Sequence, residues 1–250
     1  FNEEVDFMGA TINFGSQSAS ASSLSRYFSR VLELMADAAL HPNFTQQEFE
    51  KERDILLDGI KSGEKSVTNA ARRVENLLAF GKSHPYGEFI SKESVEKISL
   101  GDVKSFYKRY FLPNNAYLIV VGDVETEKLK EQVKKLFGKW KKKDFPNIDI
   151  PEVNNASSTQ IDFVNMPNAV QTEVSVQNTV SLRKKDADYF PLLIANGILG
   201  GGGEARLFLN LREDKGYTYG SYSRMGNNKF TDSRFLASAS VRNAVVDSAV

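Results

Sequence analysis

The sequence predicts an α+β protein of two domains, and three observations carry that prediction. The chain has 250 residues, 41% of them hydrophobic and 26% charged, which is enough for two domains of ordinary size, each with its own core. Segments with apolar residues at helical spacing alternate along it with segments of strand-like period. Residues 144–159 (Asp-Phe-Pro-Asn-Ile-Asp-Ile-Pro-Glu-Val-Asn-Asn-Ala-Ser-Ser-Thr) have the composition of a linker. A boundary there separates a first domain at 1–143 from a second at 160–250.

Residues 8–16 alternate well enough for a strand, and the Ser- and Ala-rich 17–23 form either a second strand or a loop. From 24 to 40, Tyr27, Phe28, Val31, Leu34, Met35, Ala38 and Ala39 recur at helical spacing, closed by His41-Pro42. Residues 48–60 read as a charged amphipathic helix with Phe49, Leu56 and Ile60 on one face, Ile55 beside them, and Gly59 one turn on from Ile55 and Leu56. A glycine inside a helix costs roughly 1 kcal/mol against alanine. Gly59 therefore marks either a helix about to end at Lys61-Ser62-Gly63 or a position from which a side chain is missing.

A third helix is predicted over 67–80, with Gly81 as its C-terminal cap. Ser99-Leu100-Gly101-Asp102 opens a fourth, with Val103, Phe106, Tyr107 and Tyr110 inward and Pro113 stopping it. Residues 115–122 read as a buried strand, and 125–140 as a Lys-rich amphipathic helix. Beyond the linker, 160–167 and 169–179 read as strands, the second alternating Val170, Thr172, Val174 and Val176. A helix over 186–199 runs into Gly200-Gly201-Gly202-Gly203; a short helix over 206–215 is capped by Gly216, and a strand returns over 217–224. A further strand-like segment and a helix start precede Val250.

Composition excludes several function classes. With 32 basic and 32 acidic residues, no net field draws nucleic acid or an anionic membrane surface. Lys139-Trp140-Lys141-Lys142-Lys143 therefore reads as a solvated helix end entering a linker. No apolar run approaches the roughly 18 residues needed to cross a bilayer. The chain opens on Phe1 with no charged-then-apolar leader pattern, as in a processed form or a fragment. Zero cysteines exclude disulfides, thiolate catalysis and sulfur-ligated metals, and fit a reducing or an oxidising compartment alike. The two histidines, His41 and His84, each precede proline and read as chain-turning positions after helices. Neither has the i, i+4 partner of a helical zinc site. The four glycines lack the Gly-Lys-Ser/Thr of a phosphate cradle and point to close backbone approach instead.

Across the Gly216 turn, Arg212 sits in the last turn of a helix and Tyr219 in the strand that follows. Such a turn can bring a guanidinium and a phenol to one face, where both donate to a peptide carbonyl or carboxylate. A cation near a helix C-terminus and a tyrosine in a strand are equally what stability alone favours.

The run from Leu199 through Gly200-Gly201-Gly202-Gly203-Glu204-Ala205-Arg206-Leu207-Phe208, then Leu211-Arg212-Glu213-Asp214-Lys215-Gly216-Tyr217-Thr218-Tyr219, closely resembles the second domain of the pitrilysin/insulinase family of inverted-motif zinc peptidases. Gly9-Ala10-Thr11-Ile12-Asn13 resembles that family's active-site edge strand, and Phe49-Glu50-Lys51-Glu52-Arg53-Asp54 the helix carrying its third zinc ligand. His84-Pro85-Tyr86-Gly87, Pro113-Asn114-Asn115 and Val120-Val121-Gly122-Asp123 match the remainder of its first domain.

The resemblance implies two homologous α/β domains of the mitochondrial-processing-peptidase-like metallohydrolase fold, each incomplete in this stretch. In active members H-x-x-E-H supplies two His ligands and a Glu base, and a further Glu completes a zinc site with one open position. Counting on from Glu52-Arg53, that third-ligand position falls on Gly59. Asp58 is rotated by about 100 degrees and does not simply substitute. The H-x-x-E-H segment is expected before Phe1, so this chain is expected to bind no metal and to be catalytically inactive alone.

Arg212 and Tyr219 fall on the pair with which the family's second domain contacts bound peptide, and Thr11, Ile12, Asn13 and Phe14 on the strand that peptide joins. The expected partner is a homologous zinc-bearing peptidase subunit, closing with this chain as a clamshell over peptide substrates. Two other readings stay open: an active zinc endopeptidase with Asp58 or Glu52 as substituted ligand, and a purely structural or binding homologue.

Overall fold

In the computed structural model, which describes residues 1–145 and 148–250, the elements follow in the order α1 (Asn2–Phe7), β1 (Thr11–Phe14), β2 (Ala19–Ser22), α2 (Phe28–Leu40), α3 (Gln46–Gly63), α4 (Val67–Phe80), α5 (Lys92–Lys97), α6 (Leu100–Tyr110), α7 (Thr126–Phe137), β3 (Gln171–Val180), α8 (Tyr189–Gly200), α9 (Arg206–Phe208), β4 (Thr218–Met225), β5 (Ser233–Arg242) and α10 (Val246–Ala249). Contacts divide them into two units, Phe1–Asp54 with Glu96–Asn147, and Ile55–Val95 with Ile148–Val250; the division falls within α3 and α5. Of the expected linker, Pro146 and Asn147 lie outside the described residues.

In the first unit, Val5, Met8, Ala10, Val31 and Leu34 form a buried cluster against which Ile12 and Tyr27 pack. Arg30 of α2 grips Glu4 of α1 with two hydrogen bonds, of 2.6 and 3.1 Å. β1 and β2 pair antiparallel, Thr11 with Ser22 through Phe14 with Ala19, and Gly15 N donates to Ser18 O at 2.8 Å to close the turn. The Ser/Ala-rich stretch is thus a strand. α6 opens on a capping box between Ser99 and Asp102, and its Tyr107 hydroxyl donates to the carbonyls of Ala39 and Leu40 at the end of α2.

In the second unit, β3, β5 and β4 form an antiparallel sheet in that spatial order, with Gln171 opposite Arg242 and Val180 opposite Ser233. The strand period of two puts Glu173, Ser175 and Gln177 on one face, and α4 packs there through polar groups. Thr68 donates to Glu173 at 3.0 Å, Ser175 to Glu75 at 2.5 Å, and Gln177 to the Glu75 carbonyl at 3.1 Å. α8 covers the other face over β4, where Ser223 donates to Asn196 at 2.9 Å. This is the mixed α and β architecture expected, with antiparallel pairing throughout the described strands.

Several expectations are corrected. Residues 115–122 and 160–167 form no strand: Tyr117, Ile119 and Val121 are 97%, 82% and 92% exposed, and Ile161 and Phe163 are 95% and 81%. Apolar alternation makes a strand only where a neighbour takes up its backbone groups, and no described strand pairs with either segment. Helix α3 runs on past Gly59 to Gly63 and buries none of its residues. Its half-buried stripe is Phe49, Arg53, Leu57 and Ile60, while Ile55 and Leu56 stay largely exposed. The Arg53 guanidinium lies 5.5 Å from the Phe49 ring centre, so its stem covers apolar surface where the pattern of apolar letters pointed to Leu56. Phe106, expected inward on α6, is 60% exposed.

Candidate functional site

Arg212 and Tyr219 are placed by one local device, the turn between α9 and β4. After Phe208 the helix widens into a π-helical turn over Leu209–Asp214, closed by Lys215 N donating to Asn210 O at 3.0 Å. Such one-residue expansions recur at functional sites because they re-aim side chains. Gly216 then adopts φ +62°, its N–H donating to Arg212 O at 3.1 Å, the left-handed cap that glycine takes without steric cost. The Arg212 guanidinium lies 4.8 Å from the centre of the Phe208 ring and 3.6 Å from Glu213, and the side chain is 46% exposed.

β4 continues the device. Its pairing with β5 slips between Thr218, opposite Val241, and Ser221, opposite Ala239. The bulge is held by Thr218 Oγ1, which donates to Gly220 O at 2.9 Å and accepts from Gly220 N at 3.1 Å. Tyr219 sits in this bulge, 88% exposed. Bulges next to binding sites commonly turn a side chain out of the sheet. The structure thus brings Arg212 and Tyr219 to one turn with both side chains open to solvent, and among the described residues no hydrogen bond joins them. The apolar periodicity signals neither the π-helical turn nor the bulge; Gly220 inside a strand pattern is the signal that points to the bulge.

The glycine run serves packing. A Cβ on Gly200 would press on the Ser223 backbone nitrogen and lie 2.6 Å from its hydroxyl, so α8 reaches β4 only without a side chain there. Gly202 meets nothing within 4 Å.

Thr11, Ile12, Asn13 and Phe14 form β1 in the other unit. Ile12 is half-buried while Thr11, Asn13 and Phe14 are exposed. In this two-stranded sheet the edge of β1 away from β2 pairs with no described strand.

The residues present do not fit the family's zinc. Gly59 is exposed on α3, and a Cβ built there meets nothing within 4 Å. Among the described residues no group of three or more His, Cys, Asp or Glu side chains is placed to hold a metal ion. His84 is 1% exposed with both ring nitrogens engaged: Nδ1 accepts from Tyr86 N at 3.0 Å, and Nε2 donates to Thr231 Oγ1 at 3.0 Å. Its ring stacks on Phe80 at 5.0 Å. His41 is exposed and lies 3.0 Å from Asp37.

Two predictions follow from these positions. Gly59→Ala is expected to raise stability by about 0.5–1 kcal/mol, since it removes a helix-interior glycine without touching anything; urea denaturation measures it. Burial holds the His84 pKa below its ordinary value of 6.5. The unfolded chain then binds the proton first, so the stabilisation is complete above pH 6.5 and declines as pH falls toward the folded-state value. His84→Gln is expected to flatten that part of a melting-temperature profile between pH 7 and 5.

A family model described as peptidase M16 inactive domain matches residues 97–248. The chain is 25% identical over 233 residues to a Bacillus subtilis (strain 168) protein named uncharacterized zinc protease YmxG, covering 88% of this chain and 54% of that protein. Its fold is that of a peptidase M16 inactive domain from Pseudomonas fluorescens (TM-score 0.80, 22% identity, 96% of this chain and 59% of that one). A protease from Helicobacter pylori shares it too (TM-score 0.82, 22% identity, 99% and 62%). The chain spans about half the length of the curated relative.

Proposed function

The chain belongs to the peptidase M16 inactive-domain family, and from that premise we propose that it is the peptide-holding, non-catalytic side of a zinc peptidase. A homologous zinc-bearing subunit completes the machine, and the two close as a clamshell over peptide. The chain itself binds no zinc, because the position for the third ligand is Gly59. Its domain boundary lies in 144–159, between two homologous-type α/β domains that continue beyond this stretch.

In this reading, Arg212 and Tyr219 donate to a carbonyl or carboxylate of the bound peptide. Thr11, Ile12, Asn13 and Phe14 offer the edge of β1 to which the peptide adds as a strand. The observation that carries the proposal is the pair of local devices around Gly216, which leave a guanidinium and a phenol both exposed at one turn. The test is reconstitution: hydrolysis of a peptide by a purified zinc-bearing homologue, with and without this protein. Activity well above that of the homologue alone supports the reading, and no gain contradicts it.

A further inference from the structure

The charges of this chain cancel in total but not in place. Residues 134–143 (Lys-Lys-Leu-Phe-Gly-Lys-Trp-Lys-Lys-Lys) carry six lysines and no acidic residue. All six, Lys134, Lys135, Lys139, Lys141, Lys142 and Lys143, are exposed. Lys128 and Lys130, earlier on α7, pair with Glu125 and Glu127, each at 2.8 Å, whereas the six form no ion pair among the described residues. The dipole of α7 favours Lys134 and Lys135 in its last turn. It does not account for the four lysines beyond Phe137, since the effect fades within a turn of the helix end. A net charge of zero sets the field at long range. At contact, physiological salt screens charges more than about 8 Å apart, so distant acidic residues do not cancel the patch.

The backbone beneath the patch is held on both sides. Leu129, Val133, Leu136 and Phe137 are half-buried on one face of α7, which packs toward α2, and Gln132 Nε2 donates to Ser29 O at 3.0 Å. Trp140 N donates to Phe137 O at 3.0 Å, and its ring centre lies 5.0 Å from that of Phe111. Asn114 Nδ2 donates to Lys143 O at 3.0 Å. The lysines therefore stand on a tethered surface.

The residue types select among anionic partners. The patch contains no arginine, hence no planar fork for a phosphodiester or a base edge. Trp140, the single tryptophan of the chain, packs on Phe111 and is not free to stack on a base. Protein interfaces are built around aromatic and arginine anchors and are poor in lysine. Lysine is a hydrated point charge on a flexible stem, which suits a surface of many mobile anionic headgroups. We propose that residues 134–143 dock this chain on an anionic phospholipid surface. The attachment is electrostatic and without insertion, because the apolar face of α7 is already turned to protein and is not offered to acyl chains. The inference does not depend on the peptide-holding reading.

The test is co-sedimentation of the full-length protein with vesicles of phosphatidylcholine alone and of an equal mixture of phosphatidylcholine and phosphatidylglycerol. Binding is expected to the mixed vesicles and not to the neutral ones, and is expected to be lost as salt rises from about 0.05 M to about 0.5 M. At about fivefold per lysine, the triple variant Lys141→Gln, Lys142→Gln, Lys143→Gln is expected to weaken binding roughly 100-fold. Lys184→Gln with Lys185→Gln and Lys229→Gln removes the same charge from exposed positions of the other unit and is expected to change binding little; melting temperature verifies the fold of both variants. Trp140 emission is expected to keep its wavelength on binding, since the ring stays on Phe111. No binding to the mixed vesicles at low salt overturns the proposal, as does equal binding to the neutral ones. Unchanged binding of the folded 141–143 variant, or equal losses in the two triple variants, also overturns it. Salt-resistant binding with a blue shift of Trp140 overturns docking without insertion. Tighter binding, per phosphate, to a short DNA duplex at the same salt assigns the patch to nucleic acid and overturns the lipid assignment.

Discussion

Replacing Arg212 with alanine is expected to lower kcat/KM for peptide hydrolysis by the reconstituted peptidase by about 10- to 100-fold, while loss of its stacking on Phe208, about 0.5–1 kcal/mol, lowers the melting temperature by no more than a few °C. The magnitude follows from a hydrogen bond to a charged donor, worth about 1.5–3 kcal/mol, at about 1.4 kcal/mol per tenfold in rate. The fold should tolerate the change: the side chain is 46% exposed, and its ion pair with Glu213, at 3.6 Å, is a surface pair that contributes little. Arg212→Lys keeps the charge without the planar fork and is expected to restore only part of the activity. Tyr219→Phe removes one neutral donor, and a smaller loss is expected. Unchanged hydrolysis with a folded Arg212→Ala variant contradicts the assigned role.

The largest expected effect on stability lies at Gly200. A single methyl there would press on the Ser223 backbone nitrogen, and the Leu207 side chain stands 2.9 Å away. Since backbone on β4 cannot turn aside as a flexible side chain can, α8 has to move off the sheet. Gly200→Ala is expected to cost about 3 kcal/mol, the upper part of the usual range for overpacking, and to lower the melting temperature by on the order of 10 °C. Gly202→Ala, two residues on, meets open space and is the control expected to be nearly neutral. Differential scanning calorimetry of the two variants separates close packing from a general need for glycine in this run.

Local signals made α4, α6 and the Gly216 turn legible in the sequence. Ser66 and Ser99 accept from the third residue of α4 and α6, and Gly81 after α4 and Gly216 after the Leu209–Asp214 segment take positive φ; each is written in a few neighbouring letters. The exposed strand-like segments show the opposite case. Tyr117, Ile119 and Val121 have the letters of a strand, but a strand is a property of two segments, and the second is not encoded within the first. The turned stripe on α3 has a similar origin, because the stem of Arg53 acts as apolar surface while its letter reads as charge. At the candidate site, the Arg212 to Tyr219 run names the two candidate residues and the Gly216 turn between them. The bulge that exposes Tyr219 depends on pairing with β5, and the π-helical turn on a hydrogen bond from Lys215 N back to Asn210 O, neither of which periodicity carries.

The central claim, that this chain takes part in a zinc peptidase without itself holding the metal, is tested most directly by metal analysis of the full-length protein alone. After equilibration with zinc and removal of the excess, the account predicts zinc far below one equivalent and no peptide cleavage. Tightly bound zinc at about one equivalent, accompanied by peptide cleavage, contradicts it and places Asp58 or Glu52 in the role from which Gly59 is missing.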